Sequence, residues 1–598
     1  MRRITTLLAL LFAVSGSAAN ASPPPPVYRI AGIVVDSLTG QPLDGAQVTI
    51  VPVAALDQEH TFLTSADGRF FFADLPPAKY RLTAGRRGYA NQGFHEHEGY
   101  STAIVTGPRQ DSEHIRFPLA PNAVLTGVVT DEFGEPVREG KVLLFHQSFS
   151  DGAQSLRSSG QTNTDDQGRY RFAHLLPGTY AVAVYAHPWY TQDQGARSFF
   201  QVFSVQTVQA EDSPEAVVVN KIEGSLQPAT LGQLFDVVYP VTYFPNATRL
   251  ADAARLSLAP GATETADFQL RAVPSVHLRL SAPVEPPVTI TSEEDGQEKS
   301  IDVDSSPDVN LSLRIGDDFT DQLQPAFTEI APGVVELSGI PPGQIQLLAT
   351  SFINPSKGIY VSRAKTFDIS GDTAMDLGTL GSSGPVSGVV QSNLFSAAAA
   401  PPSSDQPLPE QPAVELPSNL ALSFRSLSSG DSYDTSVSLK GDFSFAPSVL
   451  PEGSYEVGLL GQQAIRVSSL EANGARVSGR TVEIAAGQPV NLVVHTVEAK
   501  SALSGFALKN GKPIAGAMVL LVPQDSTRGG PLYHRDQSDS DGSFGMAPLF
   551  PGRYTLLAIE NGWELEWADP AVLFRYLPGG QLIDIPPDAS VTHNAKVQ

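Results

Sequence analysis

The 598-residue chain contains no cysteine. No disulfide can therefore support its fold, no thiolate can hold zinc and no thiol can act as a nucleophile. A lipid-modified cysteine behind a leader is excluded as well. Beyond the first two dozen residues, no run approaches the roughly 20 apolar residues that a transmembrane helix needs, so no transmembrane segment is expected. Positive charge is short: 39 Lys and Arg stand against 63 Asp and Glu, a formal charge of −24. Such a surface repels polyanions, which removes nucleic acid from the expected partners. The catalytic motifs G-x-S-x-G, the Gly-rich loop ending in Gly-Lys-Ser/Thr and H-E-x-x-H are all missing. The sequence thus predicts no enzyme, no catalytic residue, no cofactor and no metal. Long stretches with apolar residues at helical spacing are lacking too, and strand-period alternation recurs in their place.

What is present begins with a leader. Arg2 and Arg3 precede an apolar run from Leu7 to Val14 and the small residues Ala19-Asn20-Ala21. This order predicts a signal peptide over 1–21 cut after Ala21, hence a secreted or periplasmic protein. The whole chain is 41% apolar and 17% charged with 51 Gly and 48 Pro, which suits a folded chain with many turns.

One grammar then repeats. Its first copy reads Gly32-Ile33-Val34-Val35-Asp36, Gly40-Gln41-Pro42-Leu43-Asp44-Gly45-Ala46, Asp67-Gly68-Arg69-Phe70 and Leu75-Pro76-Pro77-Ala78-Lys79-Tyr80. The second carries Gly127-Val128-Val129, Gly134-Glu135-Pro136, Gly168-Arg169-Tyr170 and Leu176-Pro177-Gly178-Thr179-Tyr180. The last carries Gly505-Phe506-Ala507, Gly511-Lys512-Pro513, Asp541-Gly542-Ser543-Phe544 and Phe550-Pro551-Gly552-Arg553-Tyr554. Two degenerate copies lie between, one ending Leu450-Pro451-Glu452-Gly453-Ser454-Tyr455, the other Ile340-Pro341-Pro342-Gly343-Gln344-Ile345.

Each part has a physical reading. Gly-x-Pro is a turn, Asp-Gly before alternating aromatics opens a hairpin, and Pro-Gly turns the chain so that Tyr enters the next strand. That tyrosine suggests a tyrosine corner, its hydroxyl bonded to nearby backbone. Short strands between frequent Gly and Pro turns predict an all-β chain, a tandem array of about five antiparallel β-sandwiches, Ig-like or transthyretin-like.

These motifs resemble the carboxypeptidase regulatory-like domain, a transthyretin-like or prealbumin-like sandwich. The resemblance implies a fold similar to carbohydrate-binding-like modules, common in tandem in exported bacterial proteins. The expected layout is a Pro-rich lead at 22–26 and sandwiches at 27–121, 122–272 with a long insertion, 273–382, 383–499 and 500–598. A Pro/Ala-rich insertion at 397–417 interrupts the fourth.

Three sets of residues invite a functional reading. His95 and Glu98 match the H-x-x-E spacing of zinc ligands, but no catalytic domain accompanies them, and a solvated polar loop is the expectation. The acidic stretch with Glu293, Glu294, Asp295, Glu298, Asp302 and Asp304, and the pair Asp539 and Asp541, fall short of a calcium loop, leaving a solvated face and a hairpin turn. The third set is aromatic. The loops after the Tyr strand carry Tyr89 and Phe94 with Tyr100, then Trp189 and Tyr190, then Trp563 and Trp567, which are candidates for ligand binding. Such rings either stack on sugars or fold back as local packing. The sequence therefore points to a non-catalytic exported scaffold with a cell-envelope protein as partner or, alternatively, to a carbohydrate-binding protein with a polysaccharide on its aromatic loops.

Overall fold

A computed structural model of the chain describes residues 26–149, 152–191, 205–208, 216–219, 236–281, 288–294, 297–303, 308–315, 319–331, 333–354, 359–376, 385–391, 421–427, 432–436, 443–450, 452–460, 465–485, 488–524 and 533–598. The expected leader at 1–21, the insertion at 397–417 and all of the Pro-rich lead except Pro26 lie outside the described residues.

Five times the chain builds the same pair of sheets. The opening strands are Tyr28–Asp36, Ala123–Thr130, Val276–Ser281, Pro385–Gln391 and Ser501–Lys509. Each pairs antiparallel with a later strand: Arg69–Leu75, Arg169–Leu175, Val334–Ile340, Ser444–Val449 and Ser543–Leu549 in turn. Each also pairs in parallel with a closing strand: Ile115–Leu119, Thr263–Thr265, Thr373–Asp376, Val490–Glu498 and Ser590–Thr592. The facing sheets centre on antiparallel pairs, among them Gln47–Pro52 with Lys79–Gly85 and Met518–Pro523 with Gly552–Ile559. The architecture is all-β, as expected. The parallel pairing in each sandwich was not legible from alternation, because a side-chain period of two is common to both strand directions.

The glycine of the opening motif has its reason in that pairing. A Cβ on Gly32 would stand 2.2 Å from the Ile115 carbonyl oxygen, and one on Gly505 would stand 1.8 Å from that of His593. Opening and closing strands approach where only a hydrogen fits. The third sandwich opens on Val276–Ser281 without glycine, so its sequence signal survives only in its later half.

The tyrosine corners form as read. Tyr80 donates to the Pro76 carbonyl at 3.1 Å, Tyr180 to that of Leu176 at 2.7 Å and Tyr554 to that of Phe550 at 2.9 Å. Ile345 stands in the third sandwich, fully buried but with no hydroxyl to offer.

The sheets differ in how many faces they bury. Strand Gln47–Pro52 alternates, with Val48 and Ile50 in the core and Gln47 outside. Strand Lys141–Ser148 buries Val142 and Leu144 in its own core and Leu143 and Phe145 in a second one shared with Leu278, Leu313 and Leu347 of the third sandwich. Lys141 Nζ closes that seam 2.6 Å from Asp321 Oδ2. Strand Met518–Pro523 is likewise buried on both faces, Val519 and Leu521 inward and Met518, Leu520 and Val522 against the chain that carries the tryptophans.

Candidate functional site at the aromatic loops

The loop 92–106 of the first sandwich lies against the last one. There the turn after strand His534–Gln537 presents side chains and backbone to it. Lys79 Nζ is 2.6 Å from Asp539 Oδ2, and the Ala103 amide donates to Asp539 Oδ1 at 3.1 Å. The Ser540 amide donates to the Ala103 carbonyl at 2.9 Å, and Val105 N–H to Ser540 Oγ at 2.8 Å. Gln537, buried, donates through Nε2 to the His95 carbonyl and to Thr102 Oγ1, at 2.7 and 2.8 Å, while its Oε1 accepts from His97 Nδ1 at 3.1 Å. Every polar group of that glutamine has a partner, as burial demands.

Aromatic packing covers the same contact. The His97 ring stacks on Trp563 with centroids 5.3 Å apart and planes 10° apart, and Tyr100 lies 5.6 Å from the same indole. The Arg535 guanidinium carbon sits 4.8 Å from the Tyr100 ring centre, 5.2 Å from that of Trp563 and 5.5 Å from that of Trp567. A guanidinium held by three ring faces is a cation–π arrangement spanning two sandwiches. The second sandwich joins too: the Ala568 amide donates to the Gly152 carbonyl at 2.7 Å, and Glu98 accepts from Ser148 Oγ at 2.9 Å and from the Phe149 amide at 3.1 Å. Three sandwiches, two of them more than 400 residues apart in sequence, thus meet at one junction.

The junction accounts for two sequence expectations. In His95-Glu96-His97-Glu98 the first three residues stay exposed, as in a polar loop, yet Glu96 accepts from the Gly93 amide, His97 and Glu98 reach the fifth and second sandwiches, and partial desolvation lowers the His95 pKa. Asp539 holds Lys79, with burial raising its pKa in spite of that cation, and Asp541 accepts from the Ser543 amide and hydroxyl. Burial also raises Asp536, to about 6. Among the described residues no group of three or more His, Cys, Asp or Glu is arranged to hold a metal, and no helix is long and apolar enough to cross a membrane.

The aromatic candidates divide. Trp563 and Trp567 are 4% and 5% exposed, packed with Met518, Leu520, Leu557 and Leu573. Phe94 packs on Phe117 with ring centres 5.5 Å apart, and Tyr89 packs on the first core while its hydroxyl donates to Asp36 Oδ2 at 2.9 Å. None of these four offers a free ring face of the kind stacking needs. Trp189 does: it is 72% exposed, with Tyr190 standing edge-on at 5.6 Å. Tyr190 is held by Glu132, which accepts from its hydroxyl and, at 3.0 Å, from that of Tyr239. Burial, then the Glu132 carboxylate, pushes the Tyr190 pKa up to about 12. Phe133, next in the chain, is 74% exposed. Sequence reading missed Glu132 and Phe133, because they lead directly into Gly134-Glu135-Pro136, read only as a turn.

Residues 29–112 and 124–218 each match the family model of the carboxypeptidase regulatory-like domain. No curated protein matches the chain. Among solved structures, GBS52, the minor pilin of Streptococcus agalactiae, is 12% identical across 41% of this chain and 97% of its own, with a TM-score of 0.19. The shaft pilin SpaA from Lactobacillus rhamnosus GG is 12% identical across 42% and 98%, with a TM-score of 0.16. The Bacillus anthracis TIE protein is 10% identical across 96% and 76%, with a TM-score of 0.14. Overlap this slight supports no argument about function.

Proposed function

We propose that this chain, with two regulatory-like sandwiches and three more of the same build, is an exported, non-catalytic scaffold of the periplasm or cell exterior that docks cell-envelope proteins. The observation behind this reading is the junction of the first, second and last sandwiches. Its polar and aromatic side chains, Lys79, His97, Arg535, Gln537, Asp539 and Trp563, bond to or pack on one another across the sandwiches. A buried polar group satisfied as Gln537 is fixes one arrangement. A scaffold needs that rigidity. Cross-linking of the exported chain in its own envelope tests the proposal: recovery of a defined envelope partner is expected, and recovery of none sinks it.

A second reading keeps the carbohydrate alternative at one place. Trp189, exposed beside Tyr190, whose hydroxyl Glu132 holds, has the ring face and neighbouring polar group of a sugar platform. Retention on insoluble polysaccharide and on a glycan array, lost in Trp189→Ala, is the expected result. A chain that binds no glycan removes this reading and leaves the first untouched.

A further inference from the structure

Charge is unevenly shared along this acidic chain. Residues 27–121 hold 10 acids and 8 bases, whereas residues 273–382 hold 16 acids and 6 bases. Part of the first sandwich is positive outright. On the outer face of its opening sheet, Arg69 and Arg116 flank Ile33 on the two neighbouring strands, and Phe71 lies beside Ala31 in the next row. The Arg29 guanidinium covers the Phe71 ring at 4.7 Å. All three arginines are exposed, Phe71 is 47% exposed, and Arg69 shares its charge with Asp67 at 3.4 Å. An arginine face around an apolar centre fits a partner that brings carboxylates on a flat surface.

The third sandwich brings such a surface. Among the described residues, strands Val288–Glu294 and Gln297–Val303 pair only with each other, a two-stranded ladder that joins neither sheet of its own sandwich. An isolated ladder of two strands is marginally stable in water. In its register Glu293 is opposite Glu298 and Thr289 is opposite Asp302, so positions 293, 298 and 302 share one face. Like charges directly opposed destabilise a ladder, and a facing cation relieves that cost. The distances suit one another. Arg69 and Arg116 are two strand spacings apart, about 10 Å, and Glu298 and Asp302 are four residues apart along one strand, about 13 Å, within the reach of long arginine side chains.

We propose that two copies of this chain associate, the acidic paired strands 288–294 and 297–303 of one lying on the arginine face of the other's first sandwich. Because the two surfaces differ, the contact closes as a reciprocal dimer or propagates as a chain of copies. The full chain after removal of the leader is the material for the test. Sedimentation velocity at low ionic strength is expected to show self-association that weakens about tenfold or more as salt brings the screening length below 10 Å. The triple variants Arg29→Glu/Arg69→Glu/Arg116→Glu and Glu293→Lys/Glu298→Lys/Asp302→Lys are each expected to be monomeric. Mixed one to one, they are expected to associate with each other. Circular dichroism reports whether each variant folds, and cross-linking of a mixture of ¹⁴N- and ¹⁵N-labelled wild type gives a readout that needs no variant. A wild type that stays monomeric, cross-links between these segments confined to one isotopic copy, association indifferent to salt, or a mixture of folded variants that fails to associate would each overturn the proposal.

Discussion

The loop after Tyr180 and the loop after Tyr554 occupy the same place in their sandwiches, and their tryptophans end in opposite surroundings. Trp189 is 72% exposed, and Trp563 is 4% exposed. The strands beneath differ little, since Lys141–Ser148 and Met518–Pro523 are both buried on two faces. What differs is the cover. The second sandwich buries its outer face against the third, through Leu143, Phe145 and Tyr185. The last buries its outer face under its own loop and under Tyr100 of the first. A tryptophan in this position is core where it is the cover, and surface where a neighbouring sandwich already supplies one.

The sharpest way to break that comparison is to truncate both rings. Trp563→Ala removes a buried indole, together with the stacking of His97 and one wall around Arg535, and is expected to cost about 3–5 kcal/mol. Trp189→Ala is expected to stay within about 0.5 kcal/mol. Hydrogen exchange over Met518–Pro523 and Lys141–Ser148 checks both, with loss of protection only in the first variant. Equal losses would mean that Trp189 supports its sandwich after all.

A smaller effect is expected where the last sandwich touches the second. Gly152 has φ +76°, and a Cβ there would stand 2.5 Å from the Trp567 ring. Gly152→Ala therefore adds overpacking to backbone strain, about 1–3 kcal/mol. At Gly134, with φ +84° and nothing within 4 Å of a Cβ, alanine meets the strain alone, about 1 kcal/mol. Urea unfolding followed by tryptophan fluorescence separates the two, and the Trp567 environment should change only for Gly152→Ala.

How much of this was legible in the sequence depends on how far each cause reaches along the chain. The hairpins, the Tyr80, Tyr180 and Tyr554 corners and the all-β architecture rest on contacts within a few residues, and their motifs announce them. The third sandwich lost its glycine and its tyrosine, yet it keeps the sheet order, because alternation and burial carry the fold where motifs fade. The junction joins residues more than 400 positions apart, and no local motif can encode it. It did leave a trace. Val142-Leu143-Leu144-Phe145 and Met518-Val519-Leu520-Leu521-Val522 are unbroken apolar runs among alternating strands, the mark of a sheet covered on both faces. The His-Glu run at 95–98 was another, a polar cluster in which His97 and Glu98 find partners in other sandwiches.

The seam between the second and third sandwiches gives the comparison a pH dependence. His277 lies 2.6 Å from Asp236 and 3.2 Å from Glu336, and Arg279 is 2.8 Å from the same glutamate, while the His277 amide donates to Asp372. The hydrogen bond to Asp236, then the remaining influence of both carboxylates against burial, raises the His277 pKa. Its contribution is fully present below the ordinary histidine value near 6.5 and is lost as pH rises through the raised one. Glu336 is lowered, chiefly by Arg279, so its contribution is present above the ordinary carboxylate range and is lost as pH falls through the depressed value. The seam is therefore expected to weaken on the alkaline side, by hydrogen exchange in strand Val276–Ser281, and His277→Gln should flatten that limb. At the junction of the first and last sandwiches burial raises Asp539 and raises Asp536 to about 6, so that contact loses stability in a lower window, as pH rises from the ordinary carboxylate range through about 6, and should not follow the His277 limb above it.

A modest effect is expected at the feature the two loops share. Tyr180 and Tyr554 each donate to a carbonyl four residues earlier, at 2.7 and 2.9 Å, before their loops diverge. Tyr180→Phe and Tyr554→Phe each leave that carbonyl without its donor and are expected to cost about 1 kcal/mol. Thermal unfolding of the two variants measures the difference between them. If the fate of each tryptophan is set by what covers the sheet, the two losses will be alike. A clearly larger loss for Tyr554→Phe would place part of the difference in the corner itself, where Arg466 of the fourth sandwich packs 4.4 Å above the Phe550 ring.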